Sequence, residues 1–73
     1  MTQSTESIPI YLNGKQTDLP EATSISDFLT GRSLLGKLVV VEINGVIVPL
    51  TDFESRQFAA GDVVEVVHFV GGG

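Results

Sequence analysis

The chain has 73 residues, no cysteine, four basic and nine acidic residues and a formal net charge of -5, which bounds it to one domain with one modest core and excludes disulfide frameworks and thiolate metal sites. The acidic balance disfavours nucleic acid, whose phosphates need clustered lysine and arginine, and favours a basic protein surface as partner. No apolar run approaches the roughly 20 residues of a membrane span and residues 1–7 lack the parts of a signal peptide, so a cytoplasmic protein without membrane contact is expected. Mean hydropathy is +0.31, high for so small a domain, which predicts apolar surface kept for a partner.

Residues 1–7 carry no periodicity and are expected to be a mobile leader. Ile8-Pro9-Ile10-Tyr11-Leu12 alternates with period two, placing Ile8, Ile10 and Leu12 on one face and Pro9 and Tyr11 on the other. Asn13-Gly14 is a strong hairpin signal because both residues tolerate positive φ. A returning strand, about Lys15 to Leu19, is expected to stop at Pro20. Ser24 with Asp27 three residues on resembles a capping box, and Ile25, Phe28 and Leu29 follow at helical spacing, so a short amphipathic helix starts here. Gly31 weakens its continuation, Leu34 is expected to pack under the core, and Gly36 ends the segment.

Lys37 to Ile43 reads as a strand, and Asn44-Gly45 turns it into Val46-Ile47-Val48, ended by Pro49. Thr51 to Ala60, with Phe53 and Phe58 among polar residues, reads as a turn or a single helical turn leading through Gly61-Asp62 into a last strand, Val63 to Val70. The order is hairpin, helix, hairpin, strand. It predicts a two-layer α+β domain over residues 8–70, a mixed sheet of four to five strands with one helix across one face. The first and last strands are too far apart in sequence for a tight turn, so they are expected side by side and parallel in the middle. That order resembles the β-grasp, or ubiquitin-like, arrangement.

Period-two alternation also assigns the face away from the helix. Glu42 is expected outward with Leu38 and Val40, leaving Val39, Val41 and Ile43 to the core. Glu65 is likewise outward with Val63 and Val67, leaving Val64 and Val66 inside. Tyr11, Val67, Val40 and Leu38 are therefore expected to form an outward patch beside the end of the last strand, a candidate docking surface where an antiparallel sheet normally carries polar residues.

The last strand runs without a charged cap into Gly71-Gly72-Gly73. Three glycines pack nothing and lose the most freedom on ordering. They make a thin peptide that suits threading through a narrow channel, and the group it delivers is the α-carboxylate of Gly73. The same composition also suits a terminus with no function. That carboxylate is ionised at neutral pH and is a poor electrophile. A partner has to activate it, most directly as an acyl-adenylate made with ATP, after which a sulfur nucleophile supplied from outside this cysteine-free chain can displace AMP. No cofactor is expected to be held by the chain itself.

Other motifs carry less. Gly31 to Lys37 matches the first seven positions of a P-loop, but Leu38 stands where the magnesium ligand Ser or Thr belongs, and the segment runs from helix to strand instead of strand to helix. His68 is the sole histidine, so a pair or metal cluster built on imidazole is excluded, and a packing or hydrogen-bonding role near the tail is expected. No nucleophile has an evident base, so no catalysis by the chain alone is expected.

Leu12-Asn13-Gly14, Ser24 to Leu29, Val41 to Gly45 with Ile47-Val48-Pro49, and Gly61 to His68 before the glycines together resemble the ThiS family of β-grasp sulfur carriers. The resemblance runs from about residue 8 to the end. It implies that Gly73 is adenylated by an E1-like adenylyltransferase of the ThiF type, which uses ATP with Mg, and is converted by a sulfur-donor system to a thiocarboxylate. It further implies that the thiocarboxylate gives its sulfur to a thiazole synthase of the ThiG type in thiamine biosynthesis. Gly72 and Gly73 take the family's terminal Gly-Gly, with Gly71 before them. Three alternatives share the fold. The small subunit of molybdopterin synthase typically approaches its tail through prolines, absent from Val66 to Val70. A ubiquitin-like protein modifier would join the same carboxylate to lysines, and a non-covalent β-grasp module would not need the carboxylate.

Overall fold

A computed structural model describes residues 6–69. They form a five-stranded mixed sheet with one α-helix and one 3-10 turn: β1 (Ser7–Leu12), β2 (Lys15–Pro20), α1 (Ile25–Gly31), β3 (Val39–Ile43), β4 (Val46–Ile47), the 3-10 turn (Leu50–Asp52) and β5 (Val63–His68). The strand order is β2-β1-β5-β3-β4. β1 and β5 are parallel, and β3 is antiparallel to β5, so the last strand lies in the middle as the element order predicts.

Both Asn-Gly pairs turn their hairpins with positive φ at both residues, 49° and 84° at Asn13 and Gly14 and 53° and 85° at Asn44 and Gly45. This turn type matches the twist of the flanking strands. The asparagines do a second job. The Asn13 side chain accepts from the Val66 N–H at 3.0 Å and donates to the Val66 carbonyl at 3.3 Å. It continues along β5 the pairing that β1 leaves off at Leu12. Asn44 accepts from the Val63 N–H at 2.9 Å and donates to the buried Asp62 carboxylate at 3.0 Å. Asp62 in turn accepts from the Ala59 N–H at 2.8 Å, which fixes the entry into β5.

α1 begins as its cap residues dictate. Ser24 Oγ accepts from the Asp27 N–H at 3.0 Å, the forward half of a capping box. Two more amides of the first turn are satisfied from the loop before β5: Ile25 N–H donates to the Arg56 carbonyl and Ser26 N–H to the Phe53 carbonyl, as a helix end requires. The helix stops at Gly31, with Arg32 as C-cap and its guanidinium 4.9 Å from the centre of the Phe28 ring. Ile25, Phe28 and Leu29 face the sheet and join Ile10, Leu19, Val41, Ile43 and Val64 in the core. Burying each such apolar side chain stabilises the fold by about 1.5–3 kcal/mol.

Several expected boundaries move, each for a local reason. Ser7 already belongs to β1, and the Glu6 carbonyl accepts from Glu21 N–H, so the expected leader overlaps the sheet at Ser7; residues 1–5 lie outside the described residues. Pro20 closes β2 on the sheet edge, where a missing N–H is tolerated. β3 starts at Val39 instead of Lys37 because Gly36, with φ 86°, turns the chain first. Val48 is not in β4, yet it is buried and donates to the Val41 carbonyl. Phe53 and Phe58 are core residues, Phe58 meeting Phe28 edge to face at 5.4 Å. The described part of β5 ends at His68; Val70 lies outside the described residues.

The clip at Asn44 is testable. Asn44→Ala removes two hydrogen bonds and places a Cβ-bearing residue without a polar side chain at positive φ, and should cost about 1–3 kcal/mol of unfolding free energy in denaturant titration. Asn44→Gly keeps the backbone conformation accessible and should cost less.

Candidate functional site

The candidate site is built on the end of β5 and the sheet face away from α1. Alternation along β5 buries Val64 and half-buries Val66 while exposing Val63, Glu65 and Val67. β3 answers in register, with Val40 opposite Val67 and Glu42 opposite Glu65. The pairing continues one residue pair beyond the strands, where Phe69 N–H donates to the Leu38 carbonyl at 3.0 Å. Leu38 is 71% exposed, Val67 51% and Phe69 53%. With half-buried Val40 they form an apolar group where the chain leaves the sheet. Gly71, Gly72 and Gly73 lie outside the described residues.

Of the four residues expected in the docking patch, the structure brings together Leu38, Val40 and Val67. Tyr11 is outward and 45% exposed, but its partner on β5 is Val63, not Val67. Four residues of strand, roughly 13 Å, separate it from Val67. Glu65 lies between them on the same face and stands opposite Glu42. Two apolar groups are thus divided by a pair of carboxylates. Alternation fixed the face of Tyr11 correctly, but the stagger of two parallel strands is set by the β5 entry, where Tyr11 N–H donates to the Asp62 carbonyl at 2.9 Å.

Sequence reasoning missed two members of the exposed face. Phe69 shares the parity of Val67, a signal that was present in the alternation. Ile47, 63% exposed, stands opposite Glu42, and β4 is too short for alternation to place it. His68 stands opposite Val39 on the helix side of the sheet. With Asn13, Arg32, Leu34 and Val66 it lines a cleft of about 150 Å³. The P-loop-like run starts at the last residue of α1 and leads towards β3, the wrong order for a phosphate cradle.

The ThiS family model matches residues 8–73, from the second residue of β1 through the three glycines. The chain belongs to the ThiS family. It is 38% identical over 65 residues to the sulfur carrier protein ThiS of Bacillus subtilis (strain 168), covering 88% of this chain and 98% of that one. It is also 33% identical over 64 residues to a thiazole synthase of Magnetococcus marinus, where the match takes in 88% of this chain but only 20% of the synthase. The crystal structure of the thiamine biosynthesis protein ThiS from Geobacter metallireducens superimposes with a TM-score of 0.75 at 28% identity, over 90% of this chain and all of that one. In this chain α1 packs on one face of the sheet and leaves the other open. No helix is long and apolar enough to cross a membrane among the described residues.

The two faces of β5 should respond oppositely to charge. Val67→Asp should change unfolding free energy by less than about 1 kcal/mol, because the side chain is already half in water. Val64→Asp places a carboxylate in a fully buried position and should unfold the domain. Circular dichroism melts of the two variants check this.

Proposed function

We propose that this chain is a sulfur carrier of thiamine biosynthesis that acts through the carboxylate of Gly73. The observation that carries the reading is the family match running unbroken through residue 73, on a fold whose central strand leads the chain out of the sheet beside an exposed apolar group. On this reading the chain is a co-substrate, and the chemistry belongs to its partners.

An E1-like adenylyltransferase of the ThiF type joins the Gly73 carboxylate to AMP, releasing pyrophosphate from ATP held with magnesium on that enzyme. The acyl-adenylate is an electrophile, which the carboxylate was not. A sulfide-level nucleophile from a sulfur-donor system attacks the acyl carbon and AMP leaves, giving a thiocarboxylate. Thiazole synthase of the ThiG type then takes the sulfur. The thiazole synthase that carries a segment resembling this chain over one-fifth of its length supports a carrier and synthase that work in contact. Gly71 and Gly72 let the terminus enter a narrow enzyme channel, since neither has a Cβ. The partners dock on the outward sheet face, with Leu38, Val40 and Val67 as its apolar centre, Phe69 beside them, and Tyr11 at the far end.

Intact mass after incubation with ATP, the adenylating enzyme and a sulfur donor should rise by the replacement of one oxygen by sulfur, mapped to Gly73. One residue added after Gly73 should abolish the gain. An unchanged mass with an active enzyme, or linkage to protein lysines, overturns the carrier reading.

A further inference from the structure

The pair Glu42 and Glu65 is not explained by the fold. The two residues are directly opposite across β3 and β5, where Cβ atoms are about 4.5–5.5 Å apart and like charges destabilise a sheet. No strand residue of this face is basic among those described: alternation and register send Lys15 and His68 to the other side. The pair is instead bordered by apolar side chains. Ile47 stands opposite Glu42 on the β4 side. Val40 and Val67 stand one step towards the tail, and Val63 one step away from it. Two carboxylates set among exposed apolar groups weaken the free protein and would be desolvated by any partner that covers them. Such an arrangement is favourable only when the partner returns a positive charge to that spot.

We infer that the outward sheet face receives a cationic side chain of thiazole synthase between Glu42 and Glu65, with apolar residues of the enzyme on Val40, Val67 and Ile47. This rests on the carrier reading above, in which that face docks the enzyme. A guanidinium suits the position better than an ammonium. It is planar, carries five donors in a fixed fork, and can donate to both carboxylates at once at modest desolvation cost. The apolar rim excludes water and raises the worth of the charge pairing. The acidic pair also sets register: a face made only of valine, leucine and isoleucine could slide along its partner, whereas a fixed cation between two carboxylates admits one alignment. That alignment determines where the chain leaving β5 enters the enzyme.

The test compares the parent carrier with the double variant Glu42→Gln/Glu65→Gln, with Glu42→Lys and with Val67→Asp, each titrated by calorimetry against thiazole synthase of the same organism at low and moderate salt. Melting of the free carriers is measured alongside. The double Gln variant should melt at the parent's temperature or above it, because the like-charge contact is gone. It should nevertheless bind at least about 10-fold more weakly at low salt and lose most of the salt dependence. Glu42→Lys, which pairs with Glu65 inside the carrier, should also keep the fold and bind more weakly still. Parent-like affinity and salt dependence in the double Gln variant overturn the inference. If Val67→Asp still weakens binding in that case, the docking face stands and only the cation is wrong. If Val67→Asp also binds like the parent, or the parent does not bind, the docking reading itself fails.

Discussion

Everything in this molecule depends on holding β5 in the middle of the sheet. A strand that arrives last must be inserted between two that were made earlier in the chain, and its β1 side offers little: two register pairs in a parallel ladder. The deficit is made up by turn residues. Gly61 N–H donates to Pro9 O at 2.7 Å, Tyr11 N–H to Asp62 O, and Asn13 N–H to Val64 O at 2.8 Å. The Asn13 amide then carries the pairing on to Val66, while Asn44 and Asp62 fix the strand's start. Polar groups in the two hairpin turns therefore decide where the apolar strand sits.

Once β5 is central, the division of its side chains follows from the pleat. Val64, fully buried, meets the layer formed by Ile10, Val41 and Ile43 under α1. The loop between β4 and β5 closes the open end of that layer with Phe53 and Phe58 and supplies carbonyls to the first turn of α1. The helix side is thereby used up in folding. The other side keeps Val67, Val40, Leu38 and Phe69 in water, an arrangement that contributes little to stability. The core draws on one face of β5 only, so the outward face can vary in chemistry without disturbing the core.

The alternation of Val63 to Val67 around Glu65, and of Val39 to Ile43 around Glu42, made the inner and outer faces legible, because period two is a local property of extended backbone. The Asn-Gly turns were legible for an equally local reason. Reading failed where position depends on another strand. Tyr11 shares the face of Val67, but the β1 to β5 stagger sets it beside Val63. The confrontation of Glu42 with Glu65 is invisible in a chain where they lie 23 positions apart. Ile47 stayed unassigned because a two-residue strand has no period to read.

By itself the sequence determined the element order, the hairpin turns, the inner and outer faces of β3 and β5 and the glycine run at the end of the chain. These are encoded in neighbours a few residues apart, through φ preferences, pleat and helical spacing. The tertiary structure alone decided the stagger between β1 and β5, the sealing role of Phe53 and Phe58, and the splitting of the exposed face by two opposed carboxylates. Those depend on hydrogen bonds between segments distant in the chain, whose register no local pattern specifies.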